Sequence, residues 1–213
     1  MELEELSNHI IQGDAKAAEA WTHQALAEGQ DPLLILNQGL VPGMAVVGEK
    51  FKNFEYYLPD VLVSARAMKW SMTIIRPLLA QRQGASLGRV VIGTIKGDLH
   101  DIGKNLVAMM LEGAGFEVTD LGADVAPEAF AKAVEEGNTD ILCLSALLTT
   151  TMPMMKATID LLKEMELRQQ VKVLVGGAPV NEKYASQIGA DGYAPEAASA
   201  VDRAKKLLGV AAE

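Results

Sequence analysis

The residues best suited to chemistry lie in one segment, Gly97-Asp98-Leu99-His100-Asp101-Ile102-Gly103-Lys104-Asn105. One residue separates Asp98 from His100, so the carboxylate can hold one imidazole nitrogen and leave the other free for a metal. The sequence has no second His or Cys pair nearby to complete a zinc site. A single imidazole suits a metal whose other positions are filled by a macrocycle. An Asp-x-His triplet alone is more often a surface loop in which the Asp caps a helix.

Three later segments carry hydroxyl groups or glycines. Ser145 precedes Ala146-Leu147-Leu148 and then Thr149-Thr150-Thr151, Gly176-Gly177-Ala178 comes later, and Tyr193-Ala194 comes last. Glycines at the end of a strand let a bulky ligand approach the backbone, whereas a tight turn needs only one glycine. A helix cap near Thr151 would explain one of the four hydroxyls. Both the ligand and the turn-and-cap interpretations remain open at this point.

The elements that must position these segments alternate from Arg89 onward. Short apolar runs cover residues 90–95, 116–121, 141–145 and 171–175, with a shorter fifth near Gly192-Tyr193. Helical patterns fill the intervals, at about 101–113, 127–137, 152–167, 181–188 and 196–208. This alternation predicts a doubly wound parallel sheet of about five strands, covered on both faces. The four polar segments then follow the carboxyl ends of strands, where such sheets bind ligands.

Residues 1–82 have a helical pattern throughout. Helix boundaries are predicted at Gly13-Asp14, Asp31-Pro32, Val41-Pro42 and Leu58-Pro59-Asp60. Pro77 is expected to end or kink the last of these helices. The pattern predicts a small bundle of four or five helices. Residues 83–88 lack periodicity, so we expect a linker there and two domains, 1–85 and 86–213.

Composition excludes several classes of protein. The 213 residues are 49% hydrophobic and carry a net charge of −9 without a basic block, which argues against disorder and against nucleic-acid binding. Apolar runs are too short to span a bilayer, and the acidic start lacks the pattern of a signal peptide. One Cys, Cys143, suits a reducing compartment. We therefore expect a cytoplasmic protein without a membrane partner.

The ordered motifs resemble those of one known family. The segment around Asp98, His100 and Gly103 is similar to the D-x-H-x-x-G signature of base-off/His-on cobalamin-binding domains, and Ser145-x-Leu147 and Gly176-Gly177 resemble that family's S-x-L and G-G elements. Residues 46–51 and 57–68 resemble the helical cap of methionine synthase and of the small corrinoid proteins of methyltransferase systems. The resemblance covers essentially the whole chain and implies a helical cap followed by a flavodoxin-like, Rossmann-like α/β domain.

The resemblance also implies roles for individual residues. His100 matches the lower axial ligand of cobalt, and Asp98 and Thr151 match the relay behind it. Other positions match the corrinoid-binding surface: Asp101, Ile102, Gly103, Ser145, Leu147, Thr149, Gly176, Gly177, Ala178, Tyr193 and Ala194. Phe51, Leu58 and Val61 match cap residues over the upper face of the cofactor, although helical periodicity alone would place them in an ordinary bundle core.

The function implied is that of a corrinoid carrier that is not catalytic alone. It would bind cobalamin and shuttle a methyl group on cobalt from a methylamine, methanol or aryl methyl ether (O-demethylation) to tetrahydrofolate or a thiol coenzyme. Its implied partners are a substrate:corrinoid methyltransferase, a second methyltransferase that serves the acceptor, and a reductive activase. The alternatives are a cobalamin-based sensor, a mutase subunit, for which the chain lacks a substrate barrel, and a flavodoxin-like module without a corrinoid.

Overall fold

A computed structural model describes residues 2–79, 86–137 and 139–210. The first half of the predicted linker, residues 83–85, lies outside these ranges. The chain divides into two compact units, one of Met1–Ser86 with Glu112–Gly115 and one of Leu87–Leu111 with Phe116–Glu213. Within the described ranges, every helix is too short or too polar to cross a membrane.

The first unit is helical. Its elements are α1 (Leu3–Gln12), α2 (Ala15–Ala27), α3 (Pro32–Leu34), a π-helical segment (Ile35–Leu40), α4 (Val41–Lys52) and α5 (Leu58–Leu79). Asp14 caps α2 and Asp31 caps α3, each by accepting a bond from a backbone N–H, as the sequence predicts. The core contains Leu6, Ile10, Trp21, Leu36, Leu40, Val47, Val61, Met68 and Ile75. The unit is therefore held together by apolar helix faces.

The two prolines interrupt their helices less than the sequence predicts. Helix α4 begins at Val41, but the helical conformation is continuous there, since Leu34 and Leu40 both keep helical dihedrals on either side of the π-helical segment. Val41 N–H bonds to Leu36 O in this wider turn, which also tolerates the missing amide of Pro42. Helix α5 does not end at Pro77 itself, since its helical conformation runs to Leu79, where this described range stops, and the alternative of a kink stays a prediction.

Glycine lets α1 pack closely on the segment that follows α3. A Cβ at Gly39 would lie 2.8 Å from Leu6 Cδ2, and one at Gly43 would lie 2.9 Å from Ile10 Cβ. Ser7, buried on α1, donates its hydroxyl to Gly39 O at 2.6 Å. The i, i+4 glycines thus form a flat face that α1 contacts directly.

The second unit is the predicted α/β domain. Its strands are β1 (Arg89–Thr94), β2 (Glu117–Asp120), β3 (Ile141–Ser145), β4 (Lys172–Gly176) and β5 (Gly192–Ala194). Its helices are α6 (Ile102–Gly113, the last two residues of which are grouped with the first unit), α7 (Pro127–Gly137), α8 (Pro153–Glu164), α9 (Glu182–Ile188) and α10 (Ala197–Leu207). Strands and helices alternate as expected. Apart from β2, which is largely exposed at the edge of the sheet, the strands are mostly buried.

The sheet order brings the carboxyl ends of the strands together. The described strands are all parallel, in the order β2-β1-β3-β4-β5. Thr94 pairs with Ser145, Ser145 with Gly176, and Gly176 with Ala194. The order reverses between β1 and β3, and such a switch point is where open α/β sheets bind ligands. The loops after β1 and β3 therefore border the edge of the sheet at which a ligand is expected.

Candidate functional site

Asp98 and His100 interact directly in the loop after β1. Asp98 Oδ1 lies 2.7 Å from His100 Nδ1 and also accepts the His100 backbone N–H at 3.1 Å. The carboxylate is fully buried, whereas half of the imidazole side chain, 52%, is exposed. If Nδ1 carries the proton, Nε2 keeps its lone pair for a ligand. The pair thus has the geometry of a held imidazole with one nitrogen available to a metal.

The loop after β3 supplies the second side of this site. Leu147 and Leu148 donate their backbone N–H groups to Asp98 Oδ2 at 2.7 and 3.1 Å. The Thr151 hydroxyl lies 3.0 Å from the same oxygen and 2.8 Å from Leu148 O, so its single proton can serve either acceptor. Asp98 therefore joins two loops from different strands at the switch point.

These bonds govern the charge of Asp98. Burial opposes ionisation, but the Leu147 amide, the His100 ring and amide and the Thr151 hydroxyl outweigh it and hold the pKa of the carboxyl well below its usual range. Asp98 is accordingly a carboxylate at neutral pH. It can orient the His100 N–H.

Thr151 does not act as a helix cap. Helix α8 begins at Pro153 after Met152, and no side chain caps its first turn. The buried Thr151 instead directs its hydroxyl toward Asp98, while Thr149 is exposed. The cap interpretation is wrong for this reason, and one of the four hydroxyls is joined to the Asp98–His100 pair.

The glycine pair meets neighbouring backbone. A Cβ at Gly177, where φ is +114°, would lie 1.9 Å from Ala146 O, and one at Gly176 would lie 2.9 Å from Ala194 O. Packing of adjacent strand ends thus requires both glycines without a ligand. Ala178 is exposed, Tyr193 is half-buried, and the Ala194 side chain is buried, so Ala194 offers only its backbone to this edge.

Gly103 differs from that pair. It lies in the first turn of α6, and a Cβ there would meet nothing within 4 Å. Neither packing nor a positive φ accounts for glycine at this position. A large ligand that lies against this turn would require open space beside the exposed Asp101 and Ile102, and glycine provides that space.

Exposed apolar side chains surround the His100 loop. Leu99 and Ile102 are 76% and 72% exposed, and Leu147 and Leu148 also lie open to solvent, while Ser145 is half-buried. Large exposed apolar groups at a ligand-binding edge indicate a surface that is covered when occupied. Leu99 and Leu148 were not singled out from the sequence, since their significance appears only when the two loops meet.

The residues predicted for the cap lie at the end of α4 and the start of α5. Phe51 is half-buried, Leu58 is partly exposed, and Val61 is fully buried in the helical unit. Val61 therefore occupies the bundle core, as periodicity alone would place it. The nearby Phe54, which has φ of +59°, and Tyr57 are the more exposed aromatic residues, at 80% and 65%.

Sequence reasoning also missed Asp124, in the loop after β2. Its N–H donates to Asp98 O at 3.0 Å, and its carboxylate accepts Gly97 N–H at 2.8 Å and Lys96 Nζ at 2.9 Å. These two donors hold the pKa of Asp124 below its usual value. Asp124 adopts φ of +57°, a conformation that asparagine and aspartate tolerate better than most residues. A third loop thus supports the Asp98 backbone.

The donor set fits a corrinoid. Among the residues that the structure describes, three or more His, Cys, Asp or Glu side chains nowhere gather into a metal-binding group. Cys143 is buried within β3, and burial raises the pKa of its thiol to about 12. A lone exposed imidazole beside open apolar surface suits a metal that brings its own equatorial ligands.

Comparisons with known proteins agree with this geometry. Two family models, each described as a B12 binding domain, match residues 88–202 and 2–76. A corrinoid protein of Desulfitobacterium hafniense (strain Y51) is 45% identical over 210 residues, 97% of each chain. The trimethylamine corrinoid protein of Methanosarcina barkeri is 46% identical over 203 residues, 94% of each chain.

Solved structures support the same assignment. A cobalamin-binding protein from Desulfitobacterium hafniense DCB-2 matches with a TM-score of 0.80 and 32% identity, over 97% of this chain and 98% of that one. The methanol:cobalamin methyltransferase complex from Methanosarcina barkeri contains a chain that matches with a TM-score of 0.85 and 31% identity, over 99% of this chain and 81% of that one. This chain thus belongs to the family of cobalamin-binding corrinoid proteins associated with methyltransferase systems.

Proposed function

We propose that this protein is the methyl-carrying corrinoid subunit of a multi-component methyltransferase system and holds its corrinoid in the base-off/His-on mode. The observation that carries the proposal is the exposed His100 imidazole, held at Nδ1 by the buried Asp98 carboxylate. When bound, cobalamin supplies a cobalt centre that accepts a methyl group from a donor and passes it to an acceptor. The chain's own residues hold the corrinoid and set the state of its lower ligand.

His100 and Asp98 have separate roles in this proposal. His100 Nε2 would hold the cobalt of the corrinoid, while Asp98 fixes the proton on Nδ1. Thr151 and the Leu147 and Leu148 amides keep Asp98 ionised. Asp98 would thereby determine which imidazole nitrogen is available to the metal.

The proposed corrinoid surface follows the same edge of the sheet. Asp101, Ile102 and Gly103 form one side of it, with Leu147 and Thr149 on the other. The tail of the cofactor is proposed to follow Ser145, Gly176, Gly177, Ala178, Tyr193 and Ala194. Phe51 and Leu58 are proposed to shield the upper face, whereas the burial of Val61 favours a structural role there.

The proposed partners are a substrate:corrinoid methyltransferase, a methyltransferase for tetrahydrofolate or a thiol coenzyme, and a reductive activase. Relatives are named as trimethylamine and dimethylamine corrinoid proteins, which supports a small methylated compound, such as a methylamine or methanol, as the donor. We propose that the partner enzyme, rather than this chain, selects the donor.

The test is reconstitution with hydroxocobalamin, followed by desalting and an absorption spectrum. The wild-type protein should retain one corrinoid per chain, and His100→Ala should lose it at least tenfold more readily or shift the cobalt spectrum. His23→Ala, on α2 of the helical unit, is the matched control. An identical spectrum and retention in His100→Ala would overturn the His-on assignment. Failure of the loaded protein to accept a methyl group from any partner methyltransferase would overturn the carrier role.

A further inference from the structure

A lysine beside the site occupies an unusual position. Lys104 lies in the first turn of α6 and is only 3% exposed. Lysine is rarely buried, and a cation in the first turn opposes the helix dipole. Its ammonium group donates to Asn105 Oδ1 at 2.5 Å and forms an ion pair with Asp120, at the end of β2.

One arm of this contact returns to the loop that bears His100. Asn105 Nδ2 donates to Asp101 Oδ2 at 3.2 Å, and Asn105 N–H donates to Asp101 O at 2.7 Å. Asp101 directly follows His100 in the chain. Lys104 is therefore linked through one side chain to the residue next to the imidazole.

The other arm reaches the same peptide from the opposite direction. Asp120 Oδ1 accepts Gly122 N–H at 2.8 Å, and Gly122 O accepts Thr94 N–H at 2.9 Å. Thr94, fully buried at the end of β1, donates its hydroxyl to His100 O at 2.9 Å. The two arms thus close a ring of hydrogen bonds through the peptide between His100 and Asp101.

We propose that Lys104 and Asp120 are positioning residues for His100, which close this ring and hold the imidazole in register with Asp98. An ion pair that buries a lysine is seldom more stabilising than apolar packing of the same volume, so stability alone is a weak reason for the pair, in which Lys104 is buried and Asp120 is partly exposed. Fixing the path of a loop that presents a metal ligand is a use for which the pair is suited. The inference rests on the proposed function in taking His100 as the cobalt ligand.

The ring acts on the imidazole through the backbone. Only one residue separates Asp98 from His100 in the chain. The contact between Asp98 and the imidazole Nδ1 therefore depends on the position of the peptide that follows His100. Loss of the ammonium group removes the ion pair of Asp120, whose carboxylate keeps the bond from Gly122 N–H. It also removes the donor to Asn105 Oδ1. The loop can then rotate, and the bond between Nδ1 and Asp98 becomes one of several arrangements.

The experiment measures the tautomer of His100 in the corrinoid-free protein. Nitrogen-15 NMR of histidine-labelled protein at pH 8 should show wild-type His100 protonated at Nδ1, with the resonance assigned through His100→Ala. In Lys104→Met we expect a mixture of the two tautomers and roughly tenfold weaker retention of hydroxocobalamin. His9 and His23, the other two histidines of the chain, should be unchanged.

Lys156→Met is the matched control, since it breaks an exposed Lys156–Asp160 pair on α8 and should alter neither measurement. Should Lys104→Met fail to fold, Asp120→Asn opens the same ring from its more exposed side, with 38% of the Asp120 side chain accessible. A folded variant of either kind with the wild-type tautomer and retention would overturn the inference. If His100→Ala leaves retention intact while the tautomer still responds to Lys104→Met, the proposed ligation fails and the positioning role stands.

Discussion

Asp98 concentrates the polar contacts of the site on one buried carboxylate. In the Asp98→Asn variant, an NH2 group replaces one of the two carboxylate oxygens. This NH2 group must face either the Leu147 N–H or the His100 N–H, and two donors that face each other cannot form a hydrogen bond. We expect the free energy of unfolding at pH 7 to fall by about 2 kcal/mol, the cost of a buried unsatisfied polar group. Urea unfolding followed by circular dichroism measures this change.

The same carboxylate makes stability depend on pH in acid. Its native pKa is depressed, so the unfolded chain takes up a proton first, and the contribution of Asp98 is lost as pH falls below about 4 toward the native pKa. Asp98→Asn should therefore show a shallower loss of stability between pH 5 and 3 than the wild type. Glu164→Gln, an exposed carboxyl replacement on α8, should keep the wild-type slope. Equal slopes for Asp98→Asn and wild type would contradict the hydrogen bonding described.

Gly103 and Gly177 represent two different reasons for a glycine. Gly103 leaves space for a ligand, whereas Gly177 is required by the backbone conformation and by the neighbouring backbone. Gly103→Ala adds a methyl group to open space in a helix, and should raise the corrinoid-free stability by about 0.5 kcal/mol while weakening cobalamin retention. Gly177→Ala, at φ of +114° and against Ala146 O, should lower that stability by about 3 kcal/mol. Thermal unfolding and desalting assays measure both quantities. Unchanged retention in Gly103→Ala would show that the corrinoid does not lie against this turn.

At the scale of elements, the proline in α5 is a local defect that packing tolerates. Pro77 removes a backbone donor and crowds the preceding turn, yet the helix continues to Leu79, because Ile75 and Leu79 remain buried. Pro77→Ala should raise the free energy of unfolding by about 2 kcal/mol, measured by urea unfolding. Pro59→Ala, in the first turn of the same helix, should change it little, since proline suits that position. A larger gain from Pro59→Ala would contradict this account.

Element type and order were predictable because hydrophobic period is a local signal. The strand predicted at residues 141–145 is β3, and the helix predicted at 127–137 is α7. The continuous helix across Val41-Pro42 was not predictable, because the π-helical turn that tolerates Pro42 leaves no periodic mark in the sequence. A wider helical turn accommodates Pro42, whereas the helix around Pro77 is held by the burial of Ile75 and Leu79.

The motifs of the site could be predicted from the sequence, but the residues that support them could not. The spacing of Asp98 and His100 is local, so their contact could be anticipated from the sequence. Lys104–Asp120 and Asp124–Gly97 join residues 16 and 27 positions apart, and they meet only because β2 lies beside β1 in the sheet. These two contacts can be predicted only once the strand order is known.

At the scale of the whole molecule, the two units differ in what they must preserve. The helical unit is held by apolar faces and by glycine contacts such as Gly39 with Leu6, while the α/β unit carries the Asp98 and Lys104 networks. A ligand that binds only the folded α/β unit stabilises it in proportion to its concentration and affinity. Occupancy of the site should therefore be readable in the unfolding of that unit.

The buried thiol of β3 provides such a measurement without an added label. Cys143 is the only cysteine of the chain, and its 4% exposed side chain becomes reactive only when the sheet opens. The rate at which a disulfide reagent modifies this thiol therefore reports the opening of the α/β unit under native conditions. Modification of Cys143 thus reports the opening of the sheet at its centre, two residues before the strand end from which the loop that contacts Asp98 departs.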